Sequence, residues 1–448
     1  MQNNNNTNNT NNTNNNKTGG KILASGGFGC VFSPALKCKN SNKREKNKVS
    51  KLMTLRNAKE EYDTLIDIKE KLDKISNYKD YFLVDNYSIC IPDNLIKTDL
   101  SNFDKCSALK KKNITKKNIN KTLDKLLVLN MPYGGITLEQ FFTNNKNYNR
   151  LKEVNNHMIQ LLNYGIIEMN KQNIYHSDIK GSNILIDDDV EKNSMIVRLI
   201  DWSLATEYIP FKNNKFPYNW KNRPLQFNVP FSIILFTDLF VEKYTTFLEK
   251  NNRETSRSSL SEFIKQYLTE WFKERGLGHL KYVNKIMYTL FYYDLHASNI
   301  DVSKRATTET TNNYSGSSSA NATTTSATKN EQMKKYIEKT YTFPYIINYL
   351  VEILVHFTKF KSDGSLNLRF YLDNVFIKII DIWGFIISYF PFYELLFENY
   401  HDLTKEQHVI FKKLKTIFLK YLYEPRIKPI EIKDLEHELK EINDFIKI

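Results

Sequence analysis

The stretch His176-Ser177-Asp178-Ile179-Lys180-Gly181-Ser182-Asn183 restricts the fold of this 448-residue chain more than any other. It follows residues 153–170, whose apolar spacing predicts an amphipathic helix. Two short β patterns come next, Ile184 to Ile186 and Val197 to Ile200, with Asp187-Asp188-Asp189 near the tip between them. Asp201 stands at the end of the second. The fold must therefore deliver a helix onto a polar loop, then return a second carboxylate on a hairpin. The pattern H-x-D-x-K-x-x-N arises by chance readily enough. Chance is a poor account of it once an Asp closes the next apolar strand.

Phosphoryl transfer from a nucleotide needs this set of groups. Asp178 reads as the base beside an acceptor hydroxyl, and Lys180 as the cation for the γ-phosphate. Asn183 and Asp201 read as oxygen ligands of a divalent ion, Mg²⁺ or Mn²⁺. A base with an ordinary pKa near 4 acts mostly by orienting the hydroxyl, because proton loss comes late in a loose transition state. A second D-x-x-x-x-N, Asp294 to Asn299, has neither the preceding His nor a following strand Asp, and reads as a helix end.

Upstream, Leu23-Ala24-Ser25-Gly26-Gly27-Phe28-Gly29-Cys30-Val31 lies between two predicted strands. Glycines let a backbone approach phosphates and present N–H groups to them. Many hairpins contain Gly-Gly, so the signal gains weight only from its order ahead of a strand lysine and the polar loop. Lys51 shares a predicted strand face with Val49 and Met53, and an inward lysine needs a partner. Glu61 is the candidate, on a helix predicted over 57–75 whose stripe carries Ala58, Leu65, Ile68 and Leu72. Glu60 is turned away by roughly 100°. Taken alone, Lys51 and Glu61 read equally well as ordinary surface charges. Further strands are predicted near Tyr81 to Cys90 and Leu126 to Met131.

Net charge is +14, with 41% hydrophobic and 13% aromatic residues, which describes a folded chain. Lysine and asparagine are spread throughout. The one dense basic run, Lys110-Lys111-Lys112 with Lys116, Lys117 and Lys121, lacks interleaved aromatics and reads as a solvated loop, so no specific nucleic-acid partner is expected. Cys30, Cys38, Cys90 and Cys106 show no ligand spacing and read as reduced thiols in a cytoplasmic protein. Residues 375–392 resemble a membrane span. Lys378, Asp381 and Pro391 interrupt them, so a buried core helix is expected and no membrane contact. Nothing points to an oligomeric state. Residues 1–18, nearly all Asn and Thr, and the Thr/Ser/Asn-rich stretch within 303–330 are expected to be disordered.

The order of these parts resembles the eukaryotic-type protein kinase superfamily. The resemblance implies an α+β bilobal fold: a small β-rich lobe over about 19–133 and a larger helical lobe over about 134–448. Residues 231–374 would form a long helical insertion where the family has a short link. Gly26 and Gly29 then match the second and third glycines of the ATP phosphate loop, residues 23–31. Val31 looks like the roof over the adenine, and Lys51 with Glu61 like the strand-lysine and helix-glutamate pair. Asn130 to Tyr133 resembles the hinge, with Met131 and Tyr133 toward the adenine edge. Asp381-Ile382-Trp383-Gly384 resembles the central D-x-W-G helix whose Asp anchors the catalytic loop.

Departures from the family pattern carry their own expectations. Ala24 replaces the first loop glycine. Ser177 replaces the usual Arg, leaving no cation for an activation-loop phosphate, so activity independent of that modification is expected. Trp202-Ser203 replaces Phe-Gly and disfavours flipping of that segment. Arg223 to Pro230 stands where A-P-E is usual. The Asn-rich start, Val49-Ser50-Lys51 and the Arg223 to Pro230 stretch look most like Ser/Thr kinases of large cytoplasmic DNA viruses, implying host cytoplasm or virion and a protein substrate. Two alternatives remain: a small-molecule kinase of the aminoglycoside or choline type, which normally lacks the lysine and the D-x-W-G helix, and a pseudokinase scaffold.

Overall fold

The computed structural model describes residues 20–144, 150–189, 191–212, 216–221, 223–297 and 326–446. The tail over 1–18 and the stretch 303–325 lie outside them. The last part of the expected disordered stretch, 326–330, is instead the start of a helix, Ser326–Ile337. The chain folds as two compact units.

The first unit reaches Gly135 and also takes in Arg198–Ser203. Its antiparallel sheet comprises β1 (Lys21–Ser25), β2 (Gly29–Ser33), β3 (Lys48–Thr54), β4 (Ser88–Cys90) and β5 (Leu126–Pro132), in the order β1-β2-β3-β5-β4. Helix α1 (Leu55–Leu72) covers one face, where Ala58 meets Met53, Leu127 and Leu129. The other face is covered by the chain between β4 and β5. There Leu95, Phe103, Leu109 and Ile119 pack on Phe32, Leu52 and Val128. β3 is therefore buried on both faces. The lysines of the 110–121 run are exposed, as a solvated stretch requires. The strand expected over 81–90 shrinks to Ser88–Cys90, because Tyr78–Tyr81 is a helical turn and Asn86 adopts φ +60°.

The cysteine expectation is corrected: Cys30 bonds Cys106, and Cys38 bonds Cys90. Partners 76 and 52 residues apart leave no local spacing to read. Tertiary pairing makes them neighbours. The Lys39 N–H donates to the Ile91 carbonyl at 2.9 Å, which lays Cys38 beside Cys90. Cys106 follows Phe103, itself packed against Phe32 on the strand that carries Cys30.

The second unit is mostly helical. Leu151–Gln160, a π turn at Leu161–Ile166 and Ile167–Lys171 form one helical run that leads into the His176–Asn183 loop. That loop is framed by β7 (Ile174–Tyr175), which pairs β10 (Thr206–Glu207), and by β8 (Ile184–Asp189). β8 lies between β6 (Ile136–Thr137) and β9 (Ser194–Leu199). Asp294 lies within a helix over Leu280–Ala297, and Asn299, the other residue of that pattern, lies outside the described residues.

The described residues of 231–374 are an integral part of this unit. Their helices include Asp238–Lys250, Arg257–Arg275 and Phe343–Phe357. Phe231 and Tyr349 pack edge-on against Trp383 at centroid distances of 5.4 and 5.7 Å. Trp383 sits on the helix Ile377–Ile387, whose residues are all buried except Lys378. The membrane-like run is thus a core helix, apolar because it is covered on every side.

Candidate functional site

In the first unit, the strand lysine finds its carboxylates. Lys51 is buried on β3, and its Nζ donates to Glu61 Oε1 at 2.7 Å and Oε2 at 2.8 Å. The same ammonium reaches Asp201 Oδ1 at 3.1 Å. Glu61 is reached because α1 begins one residue after β3 ends and turns its apolar stripe onto the sheet. Asp201 arrives with Arg198–Ser203, held where the Leu83 N–H donates to the Leu199 carbonyl and Trp202 stands edge-on to Phe82. Asp201 has φ +65°, a strained value for a residue with a side chain. Ser203 Oγ donates to its Oδ1 at 3.0 Å.

Two carboxylates face one ammonium, so the cluster carries a net negative charge. Burial by itself would lower the Lys51 pKa, but Asp201 and Glu61 outweigh it and the net shift is upward. Burial pushes Glu61 up, against the pull of Lys51. A divalent cation would relieve this surplus of negative charge, so the donor set fits a metal at Asp201. No cluster of three His, Cys, Asp or Glu side chains with metal-binding geometry exists among the described residues, so a metal there would need further oxygen ligands from bound molecules or water.

The glycine turn is less free than its sequence suggests. The Gly26 N–H donates to the Gly29 carbonyl at 2.9 Å, a Cβ on Gly26 would touch that oxygen at 3.8 Å, and Gly27 has open space beside it. A Cβ on Gly29 would come within 2.6 Å of the Leu52 carbonyl oxygen, so this position demands glycine. Leu23 and Phe28 are exposed. Val31 pairs with Lys51 in register and so shares its face. Two side chains of this stretch have partners of their own. Cys30 points to the opposite face, into its disulfide, and Ser25 Oγ accepts from the Ser107 N–H at 3.1 Å. Strand alternation and the 106–107 segment, distant in sequence, account for both. At the expected hinge, Met131 pairs with Val49, two residues from the Leu129–Lys51 pair and on the same face. The Tyr133 N–H is donated to the Asn47 carbonyl at 2.9 Å, which removes it as a donor to a base edge.

In the second unit, Asp178 is a fixed carboxylate. Its Oδ2 accepts from Lys180 Nζ at 2.8 Å and Asn183 Nδ2 at 3.1 Å, and its Oδ1 from Asn228 Nδ2 at 2.9 Å. The Asn183 amide also donates to the Asp178 carbonyl at 2.8 Å. With Nδ2 committed to Asp178, Asn183 Oδ1 is the atom suited to a cation. The loop backbone hangs from Asp381. This buried carboxylate accepts the His176 and Ser177 N–H groups at 2.9 and 2.8 Å and Asn170 Nδ2 at 2.8 Å. Burial pushes Asp381 upward, and those donors work the other way. A Cβ on Gly384 would meet the Ile179 carbonyl oxygen at 2.5 Å, so the helix glycine lets the loop lie against the helix. Trp383 Nε1 donates to the Phe227 carbonyl at 2.9 Å.

Sequence reasoning missed three residues that set this loop. Ser177 has φ +62°. Trp220 Nε1 donates to its hydroxyl at 2.9 Å, and Arg223 Nη1 to its carbonyl at 2.8 Å. Arg223 is buried, and burial pushes its pKa down to about 10, which still leaves it cationic at neutral pH. A cation therefore does reach Ser177, from a different segment, and it is already engaged by Ser177 and Gln226. Asn228 is the third. The only available signal was the polar, Pro-flanked stretch 223–230, which does not specify which side chain turns inward.

No family model and no curated protein matches the chain. Among solved structures it is similar to a Plasmodium crystal structure described as a kinase domain, at 16% identity and a TM-score of 0.27. The match covers 48% of this chain and 56% of that one, so it spans little more than half of that structure's length. So slight a likeness adds nothing to the site, whose chemistry rests on its own geometry.

Proposed function

We propose that the chain is an ATP-dependent protein kinase that transfers the γ-phosphate to Ser or Thr hydroxyls of proteins. The observation that carries this reading is the loop carboxylate Asp178, whose Oδ2 is shared by the Lys180 ammonium and the Asn183 amide. Asp178 orients the acceptor hydroxyl and takes its proton late, while Lys180 follows the transferring phosphoryl group. Lys51, fixed by Glu61, binds nucleotide phosphate oxygens, and the tip of the glycine turn, Gly27 and Phe28, turns N–H groups toward them. Asp201 in the first unit and Asn183 in the second each offer an oxygen suited to Mg²⁺ or Mn²⁺, which when bound offsets the phosphate charge. Lys180 favours hydroxyl amino acids as acceptors over small alcohols. Because Arg223 is buried and engaged, activity needs no phosphate on the 204–222 segment.

The test is phosphate incorporation from labelled ATP into generic proteins, run beside a panel of small alcohols. Asp178→Asn should lower turnover by about 10²–10⁴-fold with ATP binding intact. Transfer to alcohols alone would make the chain a small-molecule kinase. No turnover in the unaltered protein would make it a scaffold.

A further inference from the structure

The second unit contains a cavity of about 700 Å³ that the chemistry above does not use. Three stretches wall it: Tyr208 with the residues from Phe216 to Lys221, the start of the helix Asp238–Lys250, and the turn from Lys361 to Arg369. Its lining is two-natured. Tyr208, Phe216 and Tyr218 supply aromatic surface, and Tyr218 is 90% exposed. Lys221, Lys361 and Arg369 bring three positive charges, against one carboxylate in the lining, Asp238.

Those cations are not equally spent. Lys221 pairs with Asp238 at 2.5 Å, a contact whose acid is 87% exposed and so contributes little. Lys361 forms no ion pair among the described residues. Arg369 is oriented from behind, since its Nε donates to the buried Asp373 at 2.9 Å. The same carboxylate takes the Tyr208 hydroxyl at 2.5 Å and the Phe211 N–H at 3.1 Å. Held through Nε, and with its side chain 23% exposed, the guanidinium keeps a fixed direction at the cavity wall, where its charge suits an oxyanion.

We propose that this cavity docks an acidic segment of the protein substrate, a Glu or Asp carboxylate going to Arg369 and Lys361. An apolar neighbour of that residue packs on Phe216 and Tyr218. This rests on the protein-kinase reading, and the fold links the two places. Lys221 lines the cavity, Arg223 holds Ser177, and Asn228 holds Asp178. From Lys221 to Asn228 the chain can span at most about 25 Å. A substrate segment of eight or so extended residues would bridge the same gap. The pocket suits one or two side chains, and its cations form no stripe that a nucleic-acid backbone could follow.

Fluorescence anisotropy on the whole chain tests this with a labelled peptide of alternating Glu and Leu, its Gln counterpart and a single-stranded oligonucleotide. The Glu peptide should bind at least about tenfold tighter than the Gln peptide, and weaken with salt. Lys361→Glu, on an exposed turn, should remove about tenfold of that affinity while ATP binding stays unchanged. Arg369→Lys, which keeps a cation for Asp373, should also weaken binding. Equal binding of Glu and Gln peptides, an unchanged affinity in Lys361→Glu, or displacement of the peptide by the oligonucleotide would overturn the proposal. Peptide binding that needs Lys361, without phosphate transfer to any protein, would keep the acidic site and remove the kinase. Transfer with no preference for acidic flanks would do the reverse.

Discussion

The two units are stabilised by different chemistry, and the sequence divides the responsible residues cleanly. All four cysteines lie in the first unit and all eight histidines in the second. The first splits a modest apolar core over two faces of one sheet, and crosslinks 76 and 52 residues apart tie its covering segment down. The second has no disulfide and relies on aromatic packing around Trp383 and on the buried Asp381. A small core benefits most from covalent closure, and a large one can dispense with it. Redox conditions should therefore act on one unit, and pH near neutrality on the other.

The largest effect should come from reduction. In the chain-entropy account each crosslink contributes about 4 kcal/mol, so losing both should loosen or unfold the first unit. Hydrogen exchange should rise steeply over 20–135 after reduction and stay low over 377–387. Equal rises in both would abolish the contrast. Thiol titration should find no free cysteine before reduction and four after it.

The counterpart in the second unit is Asp381→Ala. It strands the His176 and Ser177 N–H groups and the Asn170 amide, at about 1–3 kcal/mol for each buried donor. Denaturant melts should show a loss of about 3–5 kcal/mol that reducing agent does not imitate. A variant as stable as the parent would show that the loop does not depend on this carboxylate.

A smaller effect should follow from Lys51→Met, which leaves Glu61 and Asp201 facing each other. Breaking a fully buried pair costs about 3–5 kcal/mol. Asp201 keeps 31% exposure of its side chain, so about 2–3 kcal/mol is expected in the first unit. Lys51→Met with Glu61→Leu should recover part of it while activity stays lost, as a chemical melt and a phosphate-incorporation assay would show. Failure to recover would mean that the helix needs the glutamate for some other contact.

The same division marks what could be read in the sequence. Lys51 with Glu61, and Asp178 with Lys180 and Asn183, follow from strand alternation, helical phase and short spacing, so periodicity reaches them. The role of Asp381 was legible only through the D-x-W-G resemblance, because its partners lie over 200 residues away. The disulfides, Arg223 and Asn228 were not legible. Each acts across a long sequence gap or from an irregular stretch, where neither period nor motif fixes which way a side chain turns. Apolar periodicity predicts the insertion as helical, but its part in the core depends on Phe231 and Tyr349 meeting Trp383, which is tertiary packing.

The smallest effect is a shallow pH dependence confined to the second unit. Burial depresses the pKa of His157 and of His279; beside His279, Lys180 and Arg223 push further down while Asp178 opposes them. His279 also stacks near Phe227 at 5.3 Å, and its Nδ1 is buried without a partner. A depressed histidine binds its proton more readily in the unfolded chain. Its contribution is therefore intact above the unfolded value of about 6.5 and is lost as pH falls through the folded value. Both side chains are only partly buried, so solvent screening should keep the loss to a few tenths of a kcal/mol each. Melts between pH 7.5 and 5 should show this decline, and His157→Gln with His279→Gln should flatten it. A slope that survives both substitutions would place the titrating groups elsewhere, and one that disappears on reduction would place them in the first unit, where no histidine exists.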